Sequence, residues 1–249
     1  MSDVLITVPC YDERDRIEPK GLLGLLDEPR VGLILVDDGS GDGTLDVLKA
    51  IALQDPARVE VLALGANCGK AEAVRRGMLA ALDRDPVIFG FLDADLSTPP
   101  AEILRMLDVI ESSDASVAIG SRIRMLGRTI ERNTLRHYLG RAFATLASLV
   151  LRLPVYDTQC GAKLFRNGPA IRRALSRPFR SGWAFDVELL HRLITEPEHA
   201  LDSGSLVEVP LREWRDSGGS KLTLAAGIGA ILGLVHVAHE RARHERSKR

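Results

Sequence analysis

Two carboxylates one residue apart, Asp93 and Asp95 in the stretch FLDADLSTPP, are the side chains of this sequence that point most directly to chemistry. Carboxylates this close repel each other unless a cation or a set of donors shares their charge. Mg²⁺ is a natural partner, because it takes one or two protein carboxylates and completes its shell with water and substrate phosphate. The same residues would equally serve as a solvated strand end followed by a helix cap, so the pair alone leaves both readings open. The run Asp37-Asp38-Gly39-Ser40-Gly41-Asp42-Gly43-Thr44 is an acidic loop whose glycines supply unusual backbone angles and close approach to a ligand. Gly65 to Lys70 has the look of a phosphate loop, but the Walker spacing fails: Leu64 stands where the first glycine belongs, and Ala71 replaces the metal-binding hydroxyl. Arg122, Arg124, Arg128, Arg132, Arg136 and Arg141 lie within twenty residues, with Arg132 and Arg136 one helical turn apart. Clustered guanidinium groups hold anions bidentately, although a solvated basic helix has the same composition. Asp186 and Glu188 open an apolar helix, where acids also complement the helix dipole.

These groups need elements to position them. Apolar runs at Val4 to Val8, Val31 to Val36, Val59 to Ala63, Val87 to Leu92 and Ser116 to Gly120 predict buried strands. Helices are predicted between them over Asp15 to Leu26, Leu45 to Leu53, Ala71 to Leu82 and Ala101 to Ser112. This alternation means parallel strands joined by right-handed crossovers, so the polar loops gather along one sheet edge, where a nucleotide would lie. Beyond residue 121, Ala142 to Leu153 has a helical apolar face. A cationic segment leading into such a face suits a membrane surface and suits an ordinary core helix equally well. A short strand is expected after Asp157-Thr158-Gln159-Cys160-Gly161, a helix after Asp186, and a strand over Leu206 to Leu211. Leu222 to Ala238 is mostly apolar and precedes a basic end; it reads as a helix lying on a membrane or packing against a second copy of the chain, ahead of a true span.

The 249 residues suffice for one large α/β domain with an appendage. Hydrophobic residues make up 45% and charged residues 27%, which excludes a disordered chain. A formal net charge of −1 gives no general attraction to nucleic acid. Three scattered cysteines, Cys10, Cys68 and Cys160, form neither a disulfide framework nor a zinc pattern and fit a reducing, cytoplasmic setting. No signal peptide is read at Met1 to Val8.

Taken together, VPCYDE, VDDGSGDGT, NCGKAEAVRRGM, DADLSTPP, GSR, DTQCGAKLF, GWAFDVELL and EVPLREWRDSGGSK occur in an order that resembles the family 2 inverting glycosyltransferases of the GT-A fold, over about residues 4 to 221. The later motifs resemble most the polyprenyl-phosphate branch, the dolichyl-phosphate glucosyltransferases and mannose synthases. Ala71 departs from the glycine usual there. The resemblance implies an α/β fold with a mostly parallel central sheet flanked by helices and an apolar or amphipathic C-terminal helix. It implies a nucleotide-sugar-binding half over about 1 to 120, an acceptor-binding half over about 121 to 221, and a helix with a basic tail over 222 to 249.

By position, the resemblance implies that Pro9, Tyr11 and Glu13 line the nucleotide pocket, that Asp37 or Asp38 reads the base, and that Lys70 sits nearby. Asp93 would meet the ribose or metal, and Asp95 would bind the Mg²⁺ or Mn²⁺ that bridges the donor diphosphate. Ser97 stands where a mannose synthase has a further metal ligand. Arg122, Arg132, Arg136 and Lys221 would hold the acceptor phosphate. The expected reaction moves a hexose from a UDP- or GDP-linked sugar, UDP-glucose first, to a polyprenyl phosphate, at the inner face of a membrane. A lipid phosphate arrives ionised and needs no strong base. A hydroxyl acceptor would need one, and Asp186 is the candidate. A nucleotide-sugar-binding protein without turnover is the third reading.

Overall fold

The fold is that of a computed structural model describing residues 2–131, 134–216 and 224–247, with the backbone alone at 134–137, 224–226, 228 and 247. Its centre is a seven-stranded sheet. The first half supplies β1 (Val4–Cys10), β2 (Val31–Asp37), β3 (Val59–Ala63), β4 (Ile88–Leu92) and β5 (Val117–Ser121), linked by α1 (Pro19–Leu23), α2 (Thr44–Ala52), α3 (Lys70–Leu82) and α4 (Pro100–Glu111). The second half supplies β6 (Thr129–Glu131), α5 (Thr134–Leu151), β7 (Ala162–Arg166), α6 (Pro169–Leu175), α7 (Phe185–Thr195), β8 (Leu206–Pro210), β9 (Glu213–Arg215) and α8 (Leu224–Ser247). The sheet order is β3-β2-β1-β4-β7-β5-β8, and β6 and β9 form a separate parallel pair.

Strands read as continuous apolar runs because both sheet faces are covered. On β1, Val4, Ile6 and Val8 join the core under α1, α2 and α4, while Leu5 joins the core under α3, α5, α6, α7 and α8. All pairings are parallel except those of β7, which runs antiparallel between β4 and β5. Gly90 makes that insertion possible, since a Cβ there would run into the Lys163 carbonyl. The reversal has a functional result: the chain enters β7 at the same edge where β1, β2, β4 and β5 leave the sheet.

Three of the expected helices differ in extent, and β6, α6 and β9 were not expected. The helix predicted over Asp15 to Leu26 shrinks to α1 and a following 3-10 turn at Gly24–Asp27, because Pro19 can only open a helix and its ring excludes an earlier turn. The helix predicted from Ala142 begins at Thr134. The basic end beyond Ala238 continues as helix to Ser247 rather than trailing off as a tail. Arg241 and Arg152 both pair with Glu245 there, and Arg241 also donates to the Leu151 carbonyl. The inner face of α8 packs Leu234 and Val237 into this chain's own core. Among the described residues, no helix is long and apolar enough to cross a membrane.

Candidate functional site

The loops after β1 and β2 are knitted into one wall. The Glu13 amide donates to Thr44 Oγ1 at 2.9 Å, the Arg14 amide to Asp42 at 3.0 Å, and the Gly41 amide to Asp12 at 2.9 Å. Pro9 lies in β1 and Tyr11 stands exposed just beyond its end. The two aspartates expected to read a base have different surroundings. Asp38 accepts the amides of Cys68 and Gly69 at 2.7 and 2.8 Å, which fastens the loop after β3 to the loop after β2. Asp37 accepts the Ser40 amide at 3.4 Å, and its Oδ1 is enclosed without a hydrogen bond among the described residues. Gly39 has φ of 70° and lies where a Cβ would collide with the Ala66 backbone, so glycine allows these loops to meet.

Asp93 and Asp95 emerge from β4 at the centre of this edge, and each faces a cation. Lys70 Nζ is 2.6 Å from Asp93 Oδ1, and Arg16 Nη2 is 3.8 Å from Asp95 Oδ2. Arg16 also pairs with Glu13 at 3.0 Å. Partial desolvation disfavours the Lys70 charge, but the Asp93 carboxylate outweighs it and the pKa is raised. Asp95 is held by the Ser97 amide at 3.0 Å, within a turn where Leu96 takes φ of 48°. The Asp93 amide donates to the Gly161 carbonyl at 2.9 Å. A Cβ at Gly161 would overlap the Asp93 carboxylate, so this glycine clears the space the acid occupies. Among the described residues, no three His, Cys, Asp or Glu side chains cluster as a metal cage. A pair of carboxylates, each faced by a part-exposed basic side chain, fits a divalent ion that draws its other ligands from substrate and water.

On the other side of Asp93, Arg122 is already engaged. Its guanidinium grips Asp157 bidentately at 2.7 and 2.8 Å and stacks 5.4 Å from the Trp214 ring centroid. Burial works against its charge, Asp157 more than offsets that, and the pKa is raised. The amides of Tyr156 and Asp157 donate to Glu208, so this anchor is itself anchored. Arg132 and Lys221 lie outside the described residues, as does the Arg136 side chain. Asp186 lies at the start of α7, where it accepts from Lys163 Nζ at 2.5 Å. Burial raises its pKa and Lys163 opposes that rise. Trp183, 37% exposed on the turn before α7, has Lys70 Nζ 5.9 Å from its ring.

The residue pattern did not single out Arg16, Asp157, Gly161, Lys163 or Trp183. Asp157 to Gly161 reads as a polar loop before a short strand, and a lysine within that apolar strand is the available signal.

Residues 5–172 match the model of the family described as glycosyl transferase family 2. The chain belongs to that family. It is therefore a glycosyltransferase. The chain is 30% identical over 223 residues to a polyprenol monophosphomannose synthase of Mycolicibacterium smegmatis, covering 88% of this chain and 80% of that one. It is 31% identical over 245 residues to the dolichyl-phosphate β-glucosyltransferase of Saccharomyces cerevisiae, covering 88% and 69%. The fold matches that of glucosyl-3-phosphoglycerate synthase from Mycobacterium tuberculosis, crystallised with Mn²⁺, UDP and glucosyl-3-phosphoglycerate, with a TM-score of 0.64 at 20% identity over 95% of this chain and 80% of the other. The expected GT-A architecture is thus the one observed.

Proposed function

We propose that this glycosyltransferase moves a hexose from a nucleoside diphosphate sugar, UDP-glucose before GDP-linked donors, to the phosphate of a polyprenyl lipid with inversion. The observation that carries the acceptor is the placement of Asp186: this carboxylate is buried and already accepts from Lys163 Nζ at 2.5 Å, so it is not presented to a hydroxyl acceptor. A lipid phosphate needs no such base, because its second pKa of roughly 6 leaves it ionised at neutral pH. Two relatives named for polyprenyl and dolichyl phosphates support the same reading.

Each residue then has a role. Pro9, Tyr11 and Glu13 line the nucleotide, Asp37 or Asp38 accepts from the base, and Lys70 meets the diphosphate. Asp93 and Asp95 hold Mg²⁺ or Mn²⁺, which when bound stabilises the charge that develops on the leaving diphosphate. Arg122, with Arg132, Arg136 and Lys221, receives the acceptor phosphate, and Asp157 fixes the Arg122 guanidinium. Residues 1 to 120 serve the donor, 121 to 221 the acceptor, and the C-terminal helix the lipid surface.

The surface reading rests on exposed apolar side chains of two helices. Leu139, Leu146 and Leu149 of α5 and Ile231, Leu232 and Val235 of α8 are exposed on two helices that pack together and share their C-terminal ends through Arg152 and Glu245. Such a face buries itself in the headgroup and acyl boundary of a membrane, here at its cytoplasmic side.

The deciding experiment is nucleotide release from a panel of UDP- and GDP-sugars with Mg²⁺ or Mn²⁺, with and without a short polyprenyl phosphate. Release that requires the lipid phosphate names donor and acceptor class together. Release that ignores it transfers the acceptor role to a soluble hydroxyl or to water.

A further inference from the structure

Lys163 is 0% exposed, on the inner strand β7 of the sheet, among apolar neighbours. An ammonium taken out of water costs several kcal/mol unless it is paired and hydrogen-bonded, and an apolar side chain of similar volume would fill the same space without that cost. The stem of Lys163 passes beside Phe91, with Nζ 5.2 Å from the ring centroid. Its ammonium ends between the Cys160 carbonyl at 2.6 Å and Asp186 Oδ1 at 2.5 Å. Both partners belong to segments that border the acidic edge: Cys160 precedes the glycine that receives the Asp93 amide, and Asp186 opens α7. Beyond Asp186 the next charge is Lys70, whose Nζ lies 5.9 Å from the ring centroid of Trp183, three residues before Asp186, and which feels the Asp186 field as well as its 2.6 Å contact with Asp93. Charge therefore alternates from the sheet interior to the cleft: Lys163, Asp186, Lys70, Asp93.

We infer that Lys163 is a positioning residue that, through Asp186, holds the Lys70 ammonium at the Asp93 side of the cleft, ready for the donor diphosphate. The inference rests on the donor reading given above and assigns Asp186 to Lys70 rather than to the acceptor. A carboxylate fixed by a buried cation cannot swing away, so its field on Lys70 has a fixed direction. Lys70 can then exchange Asp93 for phosphate without losing its second anionic neighbour.

The test compares Lys163→Met, Asp186→Asn and the double variant with wild type. Calorimetry is run in Mn²⁺ with UDP and with uridine, or with GDP and guanosine where the wild type prefers them. Each variant is expected to lose about tenfold in affinity for the diphosphate, the value of roughly one charge-assisted hydrogen bond, with affinity for the nucleoside unchanged. A defect confined to packing would weaken both ligands or neither, and either result overturns the inference. Lys163→Met leaves Asp186 buried without its cation and Asp186→Asn leaves the Lys163 ammonium buried without its anion, so both single variants are at risk of misfolding. The double variant buries no lone charge, so its melting temperature is expected near wild type while its diphosphate affinity stays low. Recovery of diphosphate affinity in the double variant would make the pair purely structural. Wild-type protein that binds neither nucleotide would overturn the donor reading and this inference with it, whereas wild-type binding with unaltered variants overturns the inference alone.

Discussion

At the scale of residues, the site depends on where carboxylates are allowed to sit. Asp95→Ala removes a carboxylate proposed to hold the divalent ion, from a half-buried turn. Turnover in nucleotide-release assays is expected to fall by about 10³-fold, several kcal/mol of charge stabilisation, with the melting temperature within about 3 °C of wild type. Activity that survives in this variant together with a chelator would remove the metal from the mechanism. Gly161→Ala tests position rather than charge. The new methyl overlaps the Asp93 carboxylate, which must move, and a displacement of about 1 Å is expected to lower kcat/KM about 10²-fold. Wild-type kinetics in that variant would show that Asp93 has room the structure denies it.

At the scale of elements, the strand β7 and the helix α8 do the positioning. The antiparallel insertion of β7 delivers Gly161 and Lys163 beside β4, and α8 braces the turn that precedes Asp186. A Cβ at Gly233 would strike the Ser181 carbonyl, so Gly233→Leu overpacks that contact and is expected to cost about 2 kcal/mol, or a drop of about 6 °C in melting temperature. The α7 and α8 contact also carries a pH signature. Burial depresses the His191 pKa to about 4, helped by Arg241 and His244 of α8 and opposed by Glu240 and by Glu188 of α7. The unfolded chain takes up this proton near pH 6.5 and the folded chain only near 4. The contribution is therefore intact above pH 6.5 and is lost as pH falls towards 4, by up to about 3 kcal/mol. Denaturant titrations at pH 7 and pH 5 check this: His191→Met should show a shallower loss than wild type, and parallel curves would refute the neutral imidazole.

At the scale of the whole molecule, one sheet edge gathers the acidic loops, and α5 and α8 carry exposed apolar side chains. Leu139→Glu and Leu232→Glu replace exposed side chains, so folding should be unaffected. Cosedimentation with anionic lipid vesicles is expected to fall at least about tenfold for each. If binding is unchanged, or if the wild type ignores vesicles and forms a dimer that the substitutions dissociate, the face belongs to a second copy of the chain.

The alternation of apolar runs and crossover helices, and with it the gathering of Asp37, Asp38, Lys70, Asp93 and Asp95 at one edge, was legible in the sequence. Buried parallel strands and amphipathic helices have distinct local periods, and loop position follows from parallel topology. Motif order carried the family as well. What local pattern could not contain were relations between distant segments: the reversal of β7, the spending of Asp38 on the Cys68 and Gly69 amides, and the Arg122 grip on Asp157. Pro19, which shortens the first helix, is visible in the sequence itself. Asp186 shows the division most plainly. As a residue it was an acid at a helix start, fit for a base. Its partner Lys163 lies 23 positions earlier on a strand, and only tertiary packing puts that ammonium on its carboxylate, because charge pairing across a fold obeys distance in space and has no period along the chain.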